Sequence, residues 1–119
     1  MNVKRMGDRS SVQFESEFVS DSSVVICAHW GGTEFHEFAK KWAESLRKKV
    51  NPNTTMSNPE TRYEPNSVMV RFIAENGRKI RDFGTVYLGA TRKNVDDSDN
   101  GCCVIKFTSK GVETRIDEE

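Results

Sequence analysis

The sequence has no long apolar run and no recognisable export signal. Its longest apolar run is Val24–Ala28, whereas a membrane-spanning helix needs about 20 apolar residues. The first nine residues carry three cations, but no apolar segment follows them as it would in a signal peptide. These absences argue against a membrane protein and lead us to expect a cytoplasmic one.

Cysteine is scarce, and its spacing fits neither a disulfide framework nor a metal site. Cys27, Cys102 and Cys103 are odd in number, which favours reduced thiols. Cys102 and Cys103 are adjacent, so they project to opposite faces of a regular strand and do not hold one metal ion together. The sequence has no Cys-x-x-Cys motif and two histidines, and we therefore expect no metal site and no cofactor.

The chain also lacks a net charge and has little leucine. Its 18 lysine and arginine residues balance 18 aspartate and glutamate residues, which argues against a strongly basic protein that coats nucleic acid. Leucine occurs twice, against 12 valines, seven phenylalanines and five isoleucines, so the apolar content favours strands. With 119 residues and a mean hydropathy of −0.66, the chain predicts one domain, residues 1–119, with a thin core.

Two strands open the predicted fold after a flexible tail at residues 1–9. Residues 10–19 alternate apolar and polar side chains, as a half-buried strand does. The turn residues Ser20–Ser22 then lead into a second strand, Ser23–Trp30, which is apolar on both faces except at His29. The pair predicts a hairpin with the second strand nearer the centre of the sheet.

Two helices follow this hairpin. The first takes Thr33 as its N-cap and is amphipathic, because apolar residues recur at helical spacing: Phe35, Phe38, Ala39, Trp42, Ala43 and Leu46. The second spans about 65–76, with Pro65 in its first turn and Asn76-Gly77 as its stop. Its wide apolar arc predicts burial on more than one side, within the domain or at a partner surface formed by Met69, Val70 and Phe72.

The remaining segments complete an α+β fold. All three prolines lie between 52 and 65, so residues 51–64 predict a mobile surface loop. Residues 83–90, 102–108 and 112–116 predict three further strands, followed by a flexible tail at 117–119. The element order ββααβββ predicts a single domain with a largely antiparallel sheet of about five strands and two helices packed on one face.

The turn between the second strand and the first helix is the main candidate site. Gly31, Gly32 and Thr33 would present free backbone N–H groups and the positive end of the helix dipole, a geometry that holds anions. His29 and Trp30 stand directly before them and offer a titratable ring and a stacking surface. The alternative is a tight turn with a structural tryptophan, and the nucleotide-binding glycine motifs are absent.

Two other patterns are incomplete as catalytic or metal sites. Cys27 and His29 share a strand face, but same-face residues are about 6.5–7 Å apart and no third residue orients them. Asp96-x-Ser98-x-Asn100-Gly101 matches the opening of a calcium loop, but Phe107 replaces the closing glutamate. We therefore expect a buried thiol and an acidic turn, and we assign no catalytic residues.

Three short motifs resemble those of a loose group of small phage and prokaryotic proteins of unassigned function. They are Gly7-Asp8-Arg9, His29-Trp30-Gly31-Gly32 and Asn100-Gly101, spread over residues 7–107. The resemblance implies a phage or mobile-element setting. It implies no activity and no catalytic residue.

The features together favour a small binding or accessory protein that engages a protein partner or a second copy of itself. One alternative is a small-molecule or phosphate-binding domain, or an enzyme, centred on residues 29–33. A second alternative, which zero net charge does not favour, is nucleic-acid binding through the basic face of the first helix, formed by Lys40, Lys41, Arg47 and Lys48.

Overall fold

The computed structural model describes residues 7–50 and 58–118, without the side chains of Pro59 and Glu60. The predicted tail residues 1–6 and 119 and the predicted loop residues 51–57 lie outside this part. Within it the elements follow in this order: β1 Ser10–Ser16, β2 Val25–Ala28, α1 Gly32–Lys49, α2 Pro59–Arg62, α3 Pro65–Arg81, β3 Val86–Gly89, a 3-10 helix Arg92–Asn94, β4 Cys102–Thr108 and β5 Gly111–Asp117. This confirms the α+β order ββααβββ, to which the short helix α2 is added. No helix among the described residues is long and apolar enough to cross a membrane.

The strands form one mixed sheet in the order β3-β2-β1-β4-β5. Three of its four pairings are antiparallel, as predicted, and β1 and β2 form the predicted hairpin. The prediction that the second strand lies nearer the centre is wrong, because β1 pairs with both β2 and β4 and is itself the central strand. The central pairing of β1 with β4 is parallel, with Val12 opposite Cys103 and Phe14 opposite Ile105. A parallel neighbour requires a long crossover, and the segment that contains both long helices provides it.

Helices α1 and α3 cover one face of this sheet, as predicted. Alternate residues of β1, β2 and β4 point toward the helices and form the main core, where Phe14 and Phe72 meet edge to face with ring centres 5.5 Å apart. Val25 of β2 and Cys102 and Val104 of β4 form a small second cluster on the other face, covered by Val95 from the loop before β4. Cys102 and Cys103 belong to different clusters, so they lie on opposite faces as predicted.

Helix α3 is longer than predicted, because it continues through Gly77 to Arg81 instead of stopping at Asn76-Gly77. Ile80 is buried and extends the apolar face that includes Phe72 two turns earlier. Burying an isoleucine contributes roughly 1.5–3 kcal/mol, which exceeds the cost of about 1 kcal/mol for a glycine in a helix. Tertiary packing therefore overrides the local stop signal.

The wide apolar arc of α3 is explained by burial inside the domain. Met69 and Phe72 are 1% and 0% exposed, and the Phe72 ring packs against Trp42 of α1 with centres 5.0 Å apart. Val70, by contrast, is 67% exposed. The partner interface predicted at Met69, Val70 and Phe72 is therefore wrong as one surface of the monomer, because two of its three residues belong to the core.

Parts of the predicted tail and mobile loop are ordered where the structure describes them. Asp8, which was expected in the tail, donates its backbone N–H to His29 O at 2.9 Å. Tyr63, near the end of the expected loop, is buried and stacks on Phe107 with ring centres 4.5 Å apart. Both segments are held by contacts with residues distant in sequence, which local composition does not reveal.

Candidate functional site

The turn predicted as a site, residues 29–33, joins β2 to α1. The helix begins at Gly32 with Gly31 in the cap position, so the predicted N-cap Thr33 lies inside the helix and caps nothing. The φ angle of Gly32 is 56°, in the left-handed region that favours glycine. A Cβ on Gly31 would lie 2.9 Å from Phe35 Cβ, which is too close. Backbone geometry and packing thus account for both glycines.

The Asp8 carboxylate lies at the helix N-terminus, where an external anion was expected. Gly32 N donates to the backbone oxygen of Asp8 at 2.8 Å. A Cβ on Gly32 would lie 2.6 Å from Asp8 Oδ2, so the carboxylate rests against the glycine backbone. Negative charge is stabilised at this end of a helix. The chain therefore places its own anion at this turn, and phosphate binding there stays a prediction.

The two rings before the turn differ in their surroundings. Trp30 is 52% exposed, and one edge of its indole packs so closely on Gly84 that a Cβ there would lie 2.6 Å from Trp30 Cδ1. His29 lies edge-on to Trp30, with ring centres 5.5 Å apart, and its ring also packs against Gly7, where a Cβ would lie 2.6 Å from His29 Nε2. Thr33 lines a separate cavity of 480 Å³ beside α1 and β5. Trp30 is thus half-exposed, and Gly84 makes room for the edge of the indole that packs against the chain.

The three motifs that carry the resemblance meet in space. We call Gly7–Arg9, His29–Gly32 and Asn100–Gly101 the motif cluster. Asn100 Nδ2 donates to Asp8 Oδ1 at 2.8 Å and to Arg9 O at 2.9 Å, and Asn100 N donates to Arg9 O at 3.0 Å. These hydrogen bonds link the N-terminal segment to the loop before β4. The cluster therefore has an evident structural role.

The acidic turn that resembles a calcium loop is bound to a guanidinium group. Arg9 Nη1 donates to Asp96 Oδ2 at 2.6 Å, and Arg9 Nε donates to Asp99 Oδ2 at 3.0 Å. Hydrogen bonds from Ser98 lower the pKa of Asp96, and the nearby Arg9 guanidinium lowers it further. Within the described ranges, no three His, Cys, Asp or Glu side chains are grouped so as to hold a metal ion.

The three thiols are placed for packing. Cys27 Sγ donates to Asp96 O at 3.0 Å, and burial raises the pKa of Cys27. Burial raises the pKa of Cys102 to about 12 and that of Cys103 to about 11. Thiols of this kind are protonated at neutral pH and are weak nucleophiles. Strand β2 ends at Ala28, so His29 lies just beyond it. The regular strand that would place Cys27 and His29 on one face therefore does not include His29.

The basic face of α1 is partly used within the chain. Arg47 Nε donates to Thr108 O at 2.9 Å and Arg47 Nη2 donates to Ser109 O at 2.7 Å, and these bonds fix the turn between β4 and β5. Lys41 and Lys48 are exposed. One of the four cations proposed for nucleic-acid binding therefore has a structural task.

A surface that the sequence patterns did not indicate lies between α3 and β3. This α3–β3 groove has a volume of 920 Å³ and lies beside the edge of the sheet. Its lining contains no carboxylate side chain. The lining residues include Ile73, Gly77, Arg78, Arg81, Val86 and Leu88. Leu88 is 53% exposed. The groove therefore combines apolar surface with positive charge.

Strand β3 borders this groove and has an unpaired outer edge in the described part of the chain. His29 N donates to Thr85 O, and the register pairs Tyr87 with Cys27. In antiparallel pairs the hydrogen-bonded positions alternate, so Tyr87 points its backbone groups at β2. Val86 and Leu88 consequently direct their N–H and C=O groups away from the sheet. The groove thus runs beside backbone groups that are ready to pair.

Comparisons with protein families, curated proteins and solved structures find no match for this chain. The fold defines it as a small α+β domain with a mixed five-stranded sheet in its described residues.

Proposed function

We propose that this protein is a binding module that engages another protein through the α3–β3 groove. The observation that carries the proposal is the unpaired edge of β3 beside the exposed Leu88 side chain. Exposed strand edges pair readily with other chains, and many peptide-binding domains use them in this way. A neighbouring apolar groove supplies the side-chain contacts that such pairing needs for specificity.

The rest of the molecule supports binding over nucleophilic catalysis. Burial raises the pKa of all three thiols, so they lack the activation that a cysteine nucleophile requires. The Asp8 carboxylate at the start of α1 competes with any anionic ligand of the turn at residues 29–33. The groove has no comparable internal occupant among the described residues.

The test is a selection of displayed random peptides on the immobilised protein, followed by mapping of the enriched peptides with amide NMR spectra. We expect peptides that shift the amides of Val86–Gly89 and Gly77–Arg81. The variant Leu88→Asp should weaken their binding about tenfold or more, because it places a buried charge in the contact.

Val70→Asp is the matched control, since Val70 is an exposed apolar residue of α3 that lies outside the groove. It should bind the selected peptides as the wild type does. Peptides that shift only amides of the motif cluster, or a selection that enriches no binder of the groove, would contradict the proposal.

A further inference from the structure

We infer that the occupant of the α3–β3 groove is an extended, acidic segment of another protein, which adds to β3 as a sixth strand. This inference rests on the proposed function and specifies the chemistry of the partner. Three independent features of the groove support it: the orientation of the free backbone groups, the sign of the charge and a glycine in the middle of α3.

The backbone groups of β3 select an extended segment. Val86 and Leu88 point their N–H and C=O groups outward, in the plane of the sheet, at the spacing that an added strand uses. Their side chains lie on the helix-covered face, because they pair with Ala28 and Ile26, whose side chains belong to the main core. An added strand would therefore send alternate side chains into the groove and the others to the opposite face.

The charge of the groove selects acidic side chains. Arg78 and Arg81 are its charged lining residues, and neither forms an ion pair with a carboxylate of the described residues. They are three residues apart on α3 and so lie on the same side of the helix. Arginine binds carboxylates with two parallel hydrogen bonds, and alternate residues of an added strand would present carboxylates to both.

Gly77 leaves room for those side chains. It lies inside α3, where glycine costs about 1 kcal/mol relative to alanine. A Cβ at this position would meet no atom within 4 Å, so packing within the described chain does not require glycine. Its place in the groove lining, next to Arg78, means that the missing side chain widens the groove where the carboxylates would enter.

A second copy of the chain fits the groove less well. Two copies joined through their β3 edges would bring Arg78 and Arg81 of both molecules to one seam. Like charges placed together in an interface disfavour association. An acidic partner removes this repulsion, so the observations favour a different protein.

The experiment compares short synthetic peptides by calorimetric titration on the full chain. The first alternates aspartate with valine, the second replaces each aspartate with lysine, and the third keeps aspartate but carries N-methyl groups on alternate backbone amides. We expect the aspartate peptide to bind about tenfold or more tightly than either of the others. Added salt should weaken it, because the contact is electrostatic.

Charge reversal in the groove provides the matching protein variants. Arg78→Glu with Arg81→Glu should reverse the preference toward the lysine peptide. Gly77→Glu should lower the affinity for the aspartate peptide about tenfold. The fold should be kept, because the open space at this position accepts a side chain. Lys79→Glu is the control on the same helix, because Lys79 is exposed and does not line the groove.

The outcomes separate this inference from the proposed function. Equal affinity for the aspartate and lysine peptides would overturn the inference that the partner is acidic. Equal affinity for the aspartate peptide and its N-methylated form would overturn the inference that the partner adds as a strand. Selected peptides that bind the groove but are neutral or helical also overturn it and leave the proposed function intact. A concentration-dependent dimer that Leu88→Asp dissociates would make the second copy the occupant and would likewise overturn it.

Discussion

The motif cluster and the α3–β3 groove differ in how the chain satisfies their polar groups. In the motif cluster, Asn100 bonds to Asp8 and to the backbone of Arg9, and Arg9 bonds to two aspartates. In the groove, the outer edge of β3 and two arginines have no such partners among the described residues. The conspicuous sequence motifs thus take part in hydrogen bonds within the fold, whereas the segment after Asn76 has an unpaired strand edge and two unpaired arginines among the described residues.

The glycines sharpen this difference. Gly31 and Gly32 are required by the structure, since a Cβ on either would meet neighbouring atoms at 3.0 Å or less. Gly77 has open space around its missing side chain. Neither packing nor a positive φ in the described chain therefore requires the glycine at position 77.

The largest expected effect comes from comparing substitutions on the buried and exposed sides of α3. Phe72→Ala should lower the free energy of unfolding by about 3–5 kcal/mol, because it empties a site in the aromatic core. Urea denaturation measures this change. Val70→Ala is the control on the same helix and should stay within about 0.5 kcal/mol of the wild type. A decrease in the free energy of unfolding of less than about 1 kcal/mol for Phe72→Ala would contradict the placement of Phe72 in the core.

The next effect tests the structural role of the motif cluster. Gly31→Ala should lower the free energy of unfolding by about 1–3 kcal/mol, since the added Cβ overpacks the contact with Phe35. Thermal unfolding followed by circular dichroism measures it. A variant as stable as the wild type would show that the backbone of the turn adjusts to a side chain. It would also restore support for the hypothesis that the turn is a ligand site.

The same substitution in the groove should have the opposite sign. Gly77→Ala should raise the free energy of unfolding by about 0.5–1 kcal/mol, because alanine favours the helix and its Cβ meets no neighbour. Urea denaturation alongside Gly31→Ala makes the comparison direct. Destabilisation by Gly77→Ala would mean that the fold itself needs this glycine, and the contrast between the two regions would fail.

The elements that depend on local pattern were predictable from the sequence. The strand at 102–108 and the α1 helix follow from residues that lie close together in the chain. The parallel pairing of Val12 with Cys103 was not predictable, because it joins positions that only the finished fold brings together. For the same reason Asn76-Gly77 indicated a helix stop, although burial of Ile80 extends the helix.

The candidate sites show the same limit. The motifs at residues 29–33 were recognisable because glycine and aromatic residues stand out, yet their role depends on Asp8 and Asn100 from distant segments. In the sequence, Gly77 and the cations that follow it are the residues that could have indicated the groove. That signal becomes visible once α3 is known to continue, because Gly77, Arg78 and Arg81 then share one helix.

The smallest expected effect concerns His36, whose buried ring lies at the edge of the motif cluster. His36 Nε2 lies 3.2 Å from Gly101 O, and burial lowers the pKa of this histidine despite nearby Asp97 and Glu37. In the unfolded chain the pKa is near 6.5, so below that pH the unfolded state binds the proton more readily than the folded state. Stability contributed by neutral His36 is therefore complete above pH 6.5 and falls as the pH decreases. Urea denaturation between pH 7 and pH 5 should show this slope, and His36→Gln should flatten it. A slope that His36→Gln leaves unchanged would show that burial of His36 is not its cause.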